Sequence, residues 1–290
     1  MNRIVLAFAG DASSAAAVAA LRRPDLDVVA VTLDFGGIDG LEAVRDRALA
    51  EGARRAHVLD VRDEFAGHYL LPALKAGILA EAAATRRALV RAIVARKLVD
   101  IAHIEHATSV AHLCATLETR QAMERALCSI DPTLPVVAAD RSSPADEQPA
   151  ADKTRGGTVV TPREAAYVEL AFQAGSPTAI NGVAMSLVEL VASLDVMARR
   201  HDVGDSDSLL HTALDALRQR TIPAEGRRFF DVVAAEYRRV LNAGSWFTPA
   251  RTALDAYVDA LHQQATGATA LKLQAGAVEI VPPTASVSAA

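Results

Sequence analysis

The chain has 290 residues, 51% of them hydrophobic, and its 30 basic and 35 acidic side chains leave a formal charge of -5. That length supports one large or two medium domains with real cores, and the acidic balance gives no electrostatic reason to expect nucleic acid or an anionic membrane as partner. Two cysteines, Cys114 and Cys128, are too few for a disulfide framework, so free thiols in a reducing cytoplasm are expected.

Arg3 followed by the apolar run Ile4 to Ala9 superficially imitates a secretion signal, but Asp11 and two serines interrupt it early, and a buried first strand at Ile4 to Phe8 is the better reading. No apolar run reaches the roughly 18 to 20 residues of a membrane span. Further strands are predicted at Val28 to Leu33, Ala56 to Asp60, Ser109 to His112 and Pro135 to Ala138, each expected to be buried on both faces. Helices are predicted at Ser13 to Leu21, Leu41 to Glu51 and Ala88 to Glu105, where apolar residues recur at three and four spacing. The alternation predicts an α/β domain with a parallel sheet over residues 1–140. Residues 141–165 are dense in Pro, Gly, Asp and Ser and read as a linker or mobile loop, with a lid as one option. A smaller α+β domain is expected over 166–290. It opens with strands Val168 to Phe172 and Ala179 to Asn181 about a turn at Gln173 to Pro177, followed by the Asn181-Gly182 turn signal. Helices Leu187 to His201, Leu209 to Leu217, Gly226 to Ala243 and Pro249 to Thr266 come next. A hairpin of Thr269 to Gln274 with Ala277 to Val281 is turned by Ala275-Gly276, and Pro282 and Pro283 end the ordered part.

Three stretches, taken together, carry a resemblance: IVLAFAGDASSA with VVAVTLDFGG; LEAVRDRALAEGARRAHVLDVRDEFAGHYLLPALKAGILAE; and AGSWFTPARTALDAYVDALHQQATGATALKLQAGAVEIV. In order and content they resemble argininosuccinate synthase over more than half the chain. The resemblance implies an adenine nucleotide alpha hydrolase-like domain followed by a synthetase domain. It implies a phosphate-binding first loop, SGGLDTS in the family, whose glycines admit backbone N–H groups to pyrophosphate. The corresponding positions here run Ala9, Gly10, Asp11, Ala12, Ser13, Ser14, Ala15. Asp11 sets a carboxylate where a polyanion should sit, which argues against ATP binding; as a residue preceding a helix it also reads as a cap. Against the family's YEGxYPLxTALARP stands AEAAATRRALVRA, which keeps Glu81 and aligns Arg91. Against HGxTGKGNDQVRFE, a loop that grips aspartate and phosphates, stands HLCATLETRQAMER, in which His112 and Gln121 match. Segments with the family's citrulline contacts have no counterpart around 142–165 and 204–208, nor has the arm that builds tetramers, so a homodimer is expected.

These residues set the expectations for the site. Asp11, Asp34 and His112 are the catalytic candidates, placed at the mouth of the sheet with proton chemistry in mind. Ser13, Ser14, Glu81, Arg91 and Gln121 are the candidates for binding a small molecule, with Arg91 able to hold a carboxylate if it faces inward. The histidines and acids from His103 to Cys114 make a weak metal constellation, and neither a metal nor a cofactor is expected. Trp246, Phe247 and Tyr237 read as second-domain core or interface. The function expected from this reading is an ATP-independent biosynthetic enzyme, performing a cyclisation, isomerisation or hydrolysis of an apolar molecule. A non-catalytic interaction protein, favoured if Leu209 to Leu217 expose apolar area, is one alternative. A retained ATP-dependent C–N ligase of the argininosuccinate synthase type is the other.

Overall fold

A computed structural model describes residues 2–36, 40–139 and 164–282. The segment expected to form a linker or lid lies, apart from its last two residues, outside the described residues, as does Pro283. The chain forms two compact units that interleave in sequence. The first comprises residues 1–65, 87–156 and 240–249, the second 66–86, 157–239 and 250–290.

In the first unit, five strands of the described residues form one sheet. They are β1 (Asn2–Ala7), β2 (Leu26–Asp34), β3 (Arg55–Asp60), β4 (Ser109–His112) and β5 (Val136–Ala138), in the order β3-β2-β1-β4-β5 with every pairing parallel. Alternate side chains leave opposite faces of a strand, and two cores follow from that period. Ile4, Leu6, Val28 and Ala30 pack with Ala15, Ala17 and Val18 of α1 (Ala12–Leu21) and Ala48 of α2 (Leu41–Ala50). Val5, Val29, Val31 and Val110 face the other way, onto Leu98, Val99 and Ala102 of α5 (Ala82–Ile104) and Met123, Ala126 and Leu127 of α6 (Leu117–Ile130). Only the central strands are deeply buried. β3 has no fully buried residue and β5 is largely exposed, because each lies at an edge with less cover. Helix α5 begins at Ala82, earlier than predicted.

Trp246 and Phe247 correct an expectation. They lie in the 240–249 segment of the first unit, where Trp246 is buried and Phe247 packs against the Val5 and Val110 core. Tyr237 is buried in the second unit, its hydroxyl donating to Asp255 Oδ1 at 2.7 Å.

In the chain between β3 and α5 come α3 (Arg62–Phe65), a π turn (Ala66–Leu70), α4 (Leu71–Lys75) and a 3-10 turn (Leu79–Glu81). The second unit has an antiparallel sheet of β6 (Ala166–Gln173), β7 (Ser176–Ile180), β8 (Val183–Ala184), β9 (Gly267–Gln274) and β10 (Ala277–Val281), ordered β10-β9-β6-β7-β8. Three tight turns, Ala174-Gly175, Asn181-Gly182 and Ala275-Gly276, have positive φ at both residues, as hairpins that match the strand twist require. The expected turn at Gln173 to Pro177 is therefore shorter than predicted, and β7 starts at Ser176. Helices α7 (Leu187–His201), α8 (Ser206–Thr221), α9 (Ala224–Asn242) and α10 (Pro249–His262) complete the described elements. Leu209, Leu210, Leu214 and Leu217 are all buried in α8, so these leucines do not expose the apolar area that would favour an interaction protein. None of the helices among the described residues is long and apolar enough to cross a membrane.

Candidate functional site

The winding of the first sheet reverses at β1: β2 and β3 lie on one side of it, β4 and β5 on the other. In an open α/β sheet the crevice beyond the carboxyl ends of the strands at such a reversal is where ligands bind. The chain leaves β1 through Phe8, whose N–H donates to Val31 O at 2.8 Å and whose carbonyl accepts from the buried Thr32 hydroxyl at 2.9 Å. The turn that follows depends on Gly10, at φ 77 and with the Val44 side chain 3.1 Å from where a Cβ would sit. Arg47 of α2 donates to the Gly10 carbonyl at 2.7 Å and brings a guanidinium to the loop.

Asp11 then starts α1. Its Oδ1 accepts from Ser14 N at 2.7 Å and its carbonyl accepts from the Ser14 hydroxyl at 3.1 Å, a helix N-cap in both side chain and backbone. The carboxylate is thus turned onto the helix end, where the helix dipole favours negative charge. Ser13 and Ser14 are both buried beneath the loop. Asp34 stands at the carboxyl end of the neighbouring β2, with Oδ1 accepting from Gly36 N at 2.8 Å.

On the other side of β1, His112 ends β4 and is 1% exposed. Its Nδ1 accepts from Cys114 N at 3.3 Å, which leaves the proton on Nε2. That atom has no hydrogen-bond partner among the described residues; Glu124 Oε1 lies 3.8 Å away. Burial lowers the imidazole pKa, outweighing the opposing pull of Glu124, so the ring is neutral near pH 7. Helix α6 begins just beyond, capped by Thr116, whose hydroxyl accepts from Thr119 N while Thr119 Oγ1 accepts from Thr116 N. Arg120, in its first turns, donates from Nε to Cys114 O at 2.9 Å. The reversal point is therefore flanked by two helix N-termini, those of α1 and α6, which is an arrangement that favours an oxyanion.

The structure brings Asp11, Ser13, Ser14, Asp34 and His112 to the carboxyl edge of three adjacent strands. Arg91, on α5, is half-buried and lines a small crevice with Ala88, Ala122, Met123 and Gly244. Gln121 is exposed on α6. Glu81 is exposed at the end of the 3-10 turn and belongs to the second unit. The metal constellation is dispersed by specific partners: His103 Nε2 lies 2.7 Å from Asp131 Oδ2, and buried Glu105 accepts from Arg3, Arg55 and His57. Sequence reasoning missed Arg47 and Arg120. Arg47 reaches the loop only through the fold, whereas Arg120 lies within the quoted segment His112 to Arg125, where the spacing of Ala122, Met123, Ala126 and Leu127 marks a helix rather than a loop.

Two family models match this chain. The arginosuccinate synthase N-terminal HUP domain covers residues 3–155, and the arginosuccinate synthase C-terminal domain covers residues 206–288. The chain belongs to the argininosuccinate synthase family. Argininosuccinate synthases of Streptococcus suis and Streptococcus thermophilus are 31% identical to it, and that of Streptococcus agalactiae 30%, each alignment covering 97% of this chain and 87% of the relative. This membership confirms the nucleotide-binding-like parallel domain followed by a C-terminal domain. It also corrects the functional expectation of an ATP-independent enzyme. Both domains of an ATP-dependent ligase family run through the chain in order, nearly end to end, and the residue on which that expectation rested, Asp11, is occupied as the cap of α1. The alternative of an interaction protein loses its motive with the burial of Leu209 to Leu217.

Proposed function

We propose that the chain is an ATP-dependent carbon–nitrogen ligase of the argininosuccinate synthase type. The observation that carries the reading is the crevice at the β1–β4 reversal, entered by a positive-φ Gly10 turn and flanked by two helix N-termini, in a chain matched by both domains of that family. Its relatives bear the name of an enzyme that makes argininosuccinate, so a ureido amino acid (citrulline), aspartate and ATP are the substrates to try first. In such a ligation the ureido oxygen attacks the α-phosphorus of ATP and pyrophosphate leaves; the amine then attacks the activated carbon and AMP leaves. This chain supplies backbone N–H groups at the mouth of the sheet, with Arg47 beside Gly10 as a nearby cation. His112, neutral and with its proton on Nε2, is suited to donate a hydrogen bond there rather than to carry charge. Cys114 and Cys128, neither of them in a disulfide among the described residues, accord with a reducing cytoplasm.

The test is pyrophosphate release by the purified full chain. Release that requires ATP, citrulline and aspartate together, with AMP formed in equal amount, supports the reading. Absence of both pyrophosphate release and calorimetric binding of MgATP overturns it.

A further inference from the structure

We infer that the second unit holds a binding site of its own, a cleft among α8, α9 and α10 that takes an α-amino acid with an apolar side chain. The inference goes beyond the ligase reading, because every residue that lines the cleft belongs to the second unit and the loops after β1 and β4 contribute nothing to it. The cleft encloses about 520 Å³, within the usual range of small-molecule sites. Arg218 of α8 lines it and is 4% exposed, with its guanidinium 4.6 Å from the centroid of the Phe230 ring. Gly77, at φ 69, backs this pair: a Cβ there would meet Phe230 Cε1 at 2.9 Å and Arg218 Nη1 at 3.0 Å, so the chain fixes both side chains from one side.

A guanidinium carries five N–H donors. Arg218 uses two of them, donating from Nη1 to Lys75 O at 3.3 Å and from Nη2 to Asp215 Oδ1 at 3.0 Å. Nε and the second hydrogen of each Nη have no acceptor among the described residues. Asp215 is a weak counter-ion, since its side chain is 46% exposed, and burial outweighs its pull and holds the Arg218 pKa below the ordinary value. A buried cation short of hydrogen bonds and of compensating charge is costly to the fold. A carboxylate entering the cleft and accepting two of the spare N–H groups supplies both.

The rest of the lining asks for more than an anion. Asp231, exposed on α9, has no hydrogen bond or ion pair among the described residues and offers its carboxylate to an ammonium group. Arg227, also on α9, donates from Nη1 to the carbonyls of Gln219 and Ile222. Two guanidiniums and two carboxylates therefore cancel around the cleft, a balance that suits a zwitterion better than a bare anion or cation. Buried Phe230 and Ile222, with half-buried Leu261, form an apolar wall for the side chain.

The test is calorimetric titration of the full chain with L-phenylalanine and L-leucine, beside hydrocinnamate, which lacks the ammonium group, and phenethylamine, which lacks the carboxylate. At least one of the two amino acids should bind, about tenfold or more tighter than either fragment. Arg218→Met should weaken that binding about tenfold or more while the thermal midpoint holds or rises, because an under-compensated buried charge has been replaced by an apolar chain of similar length. Asp231→Asn, a surface change that leaves the fold intact, should weaken the amino acid about fivefold and leave hydrocinnamate unchanged. Should Arg218→Met fail to fold, Asp231→Asn decides alone. No binding of either amino acid to wild type, a fragment that binds as tightly as the amino acid, or an affinity within twofold of wild type in either folded variant overturns the proposal.

Discussion

Asp11 is the residue at which cap and charge can be separated. Asp11→Asn keeps an Oδ1 to accept from Ser14 N, now 2.7 Å from the carboxylate, so α1 keeps its cap and global stability should move by less than about 0.5 kcal/mol. What the change removes is one negative charge at the loop. A phosphate charge bound at the α1 N-terminus, roughly 6 Å from that carboxylate, is repelled by about 0.7 kcal/mol at a water-like dielectric and about 3 kcal/mol at an effective value near 20. Arg47, bonded to the Gly10 carbonyl one residue away, offsets part of this. The expected gain is therefore about 1 kcal/mol, or about fivefold tighter MgATP binding by calorimetry. Asp11→Ala should show the same gain in affinity while losing about 1 kcal/mol of stability in urea unfolding, because the cap is gone. MgATP affinity of Asp11→Asn within twofold of wild type would refute the placement of the phosphates beside this loop. A collapse of ligation in Asp11→Asn with ATP affinity intact would instead assign proton chemistry to the carboxylate.

Three further predictions concern stability. A Cβ on Gly244 would sit 1.9 Å from the Ala122 carbonyl oxygen at φ 74, so Gly244→Ala forces the 240–249 segment away from α6 and should cost about 2 to 5 kcal/mol, read as a lower urea midpoint. Arg86 holds Asp207 by two hydrogen bonds of 2.8 Å; Asp207 is fully buried while Arg86 is about one-third exposed. Arg86→Ala, which strands a buried carboxyl, should therefore destabilise by about 3 to 5 kcal/mol and by more than Asp207→Ala, whose remaining guanidinium can reach water. His262 is fully buried, and burial pushes its pKa from 6.5 down to about 4. Because the folded pKa is the lower one, the unfolded chain takes up a proton that the folded chain refuses. Stability is complete above about 6.5 and falls as pH drops toward 4, by up to about 3 kcal/mol. Urea midpoints at pH 7 and pH 5 should differ more for wild type than for His262→Leu; equal differences would sink the assignment.

How much of this was legible in the sequence depends on whether a feature is local. Ile4 to Phe8 and Val28 to Leu33 announce themselves as central strands because both faces are covered, and an unbroken apolar run records that. The Asn181-Gly182 turn is written in residues that tolerate positive φ, whereas at Ala275-Gly276 the glycine alone carries the signal. Asp11 as a cap was readable from its place ahead of a serine pair. Pairings across the chain were not: β6 joins β9 almost a hundred residues later, and neither strand carries a mark of its partner. Nor does the apolar character of Trp246 and Phe247 say which core they enter. That is decided by Gly244, whose missing side chain lets the backbone lie against Ala122.

The loop after β1 is hard to weigh from its letters for a related reason. A phosphate-binding turn works through backbone N–H groups and the end of a helix, and what places them here is a glycine with positive φ, the Thr32 hydroxyl on the Phe8 carbonyl and the packing of α1 on the sheet. None of these depends on the side chains at Ala9, Ala12 or Ala15. Replacing loop side chains alters what the crevice prefers and how tightly it holds, whereas its backbone geometry persists as long as the strands and helices behind it do. Counting matched motif letters weighs the first and misses the second. Charge follows the same logic: Asp11 adds a carboxylate in the linear motif, but in the fold that carboxylate meets a helix N-terminus, and Arg47 arrives from a helix that the motif does not contain.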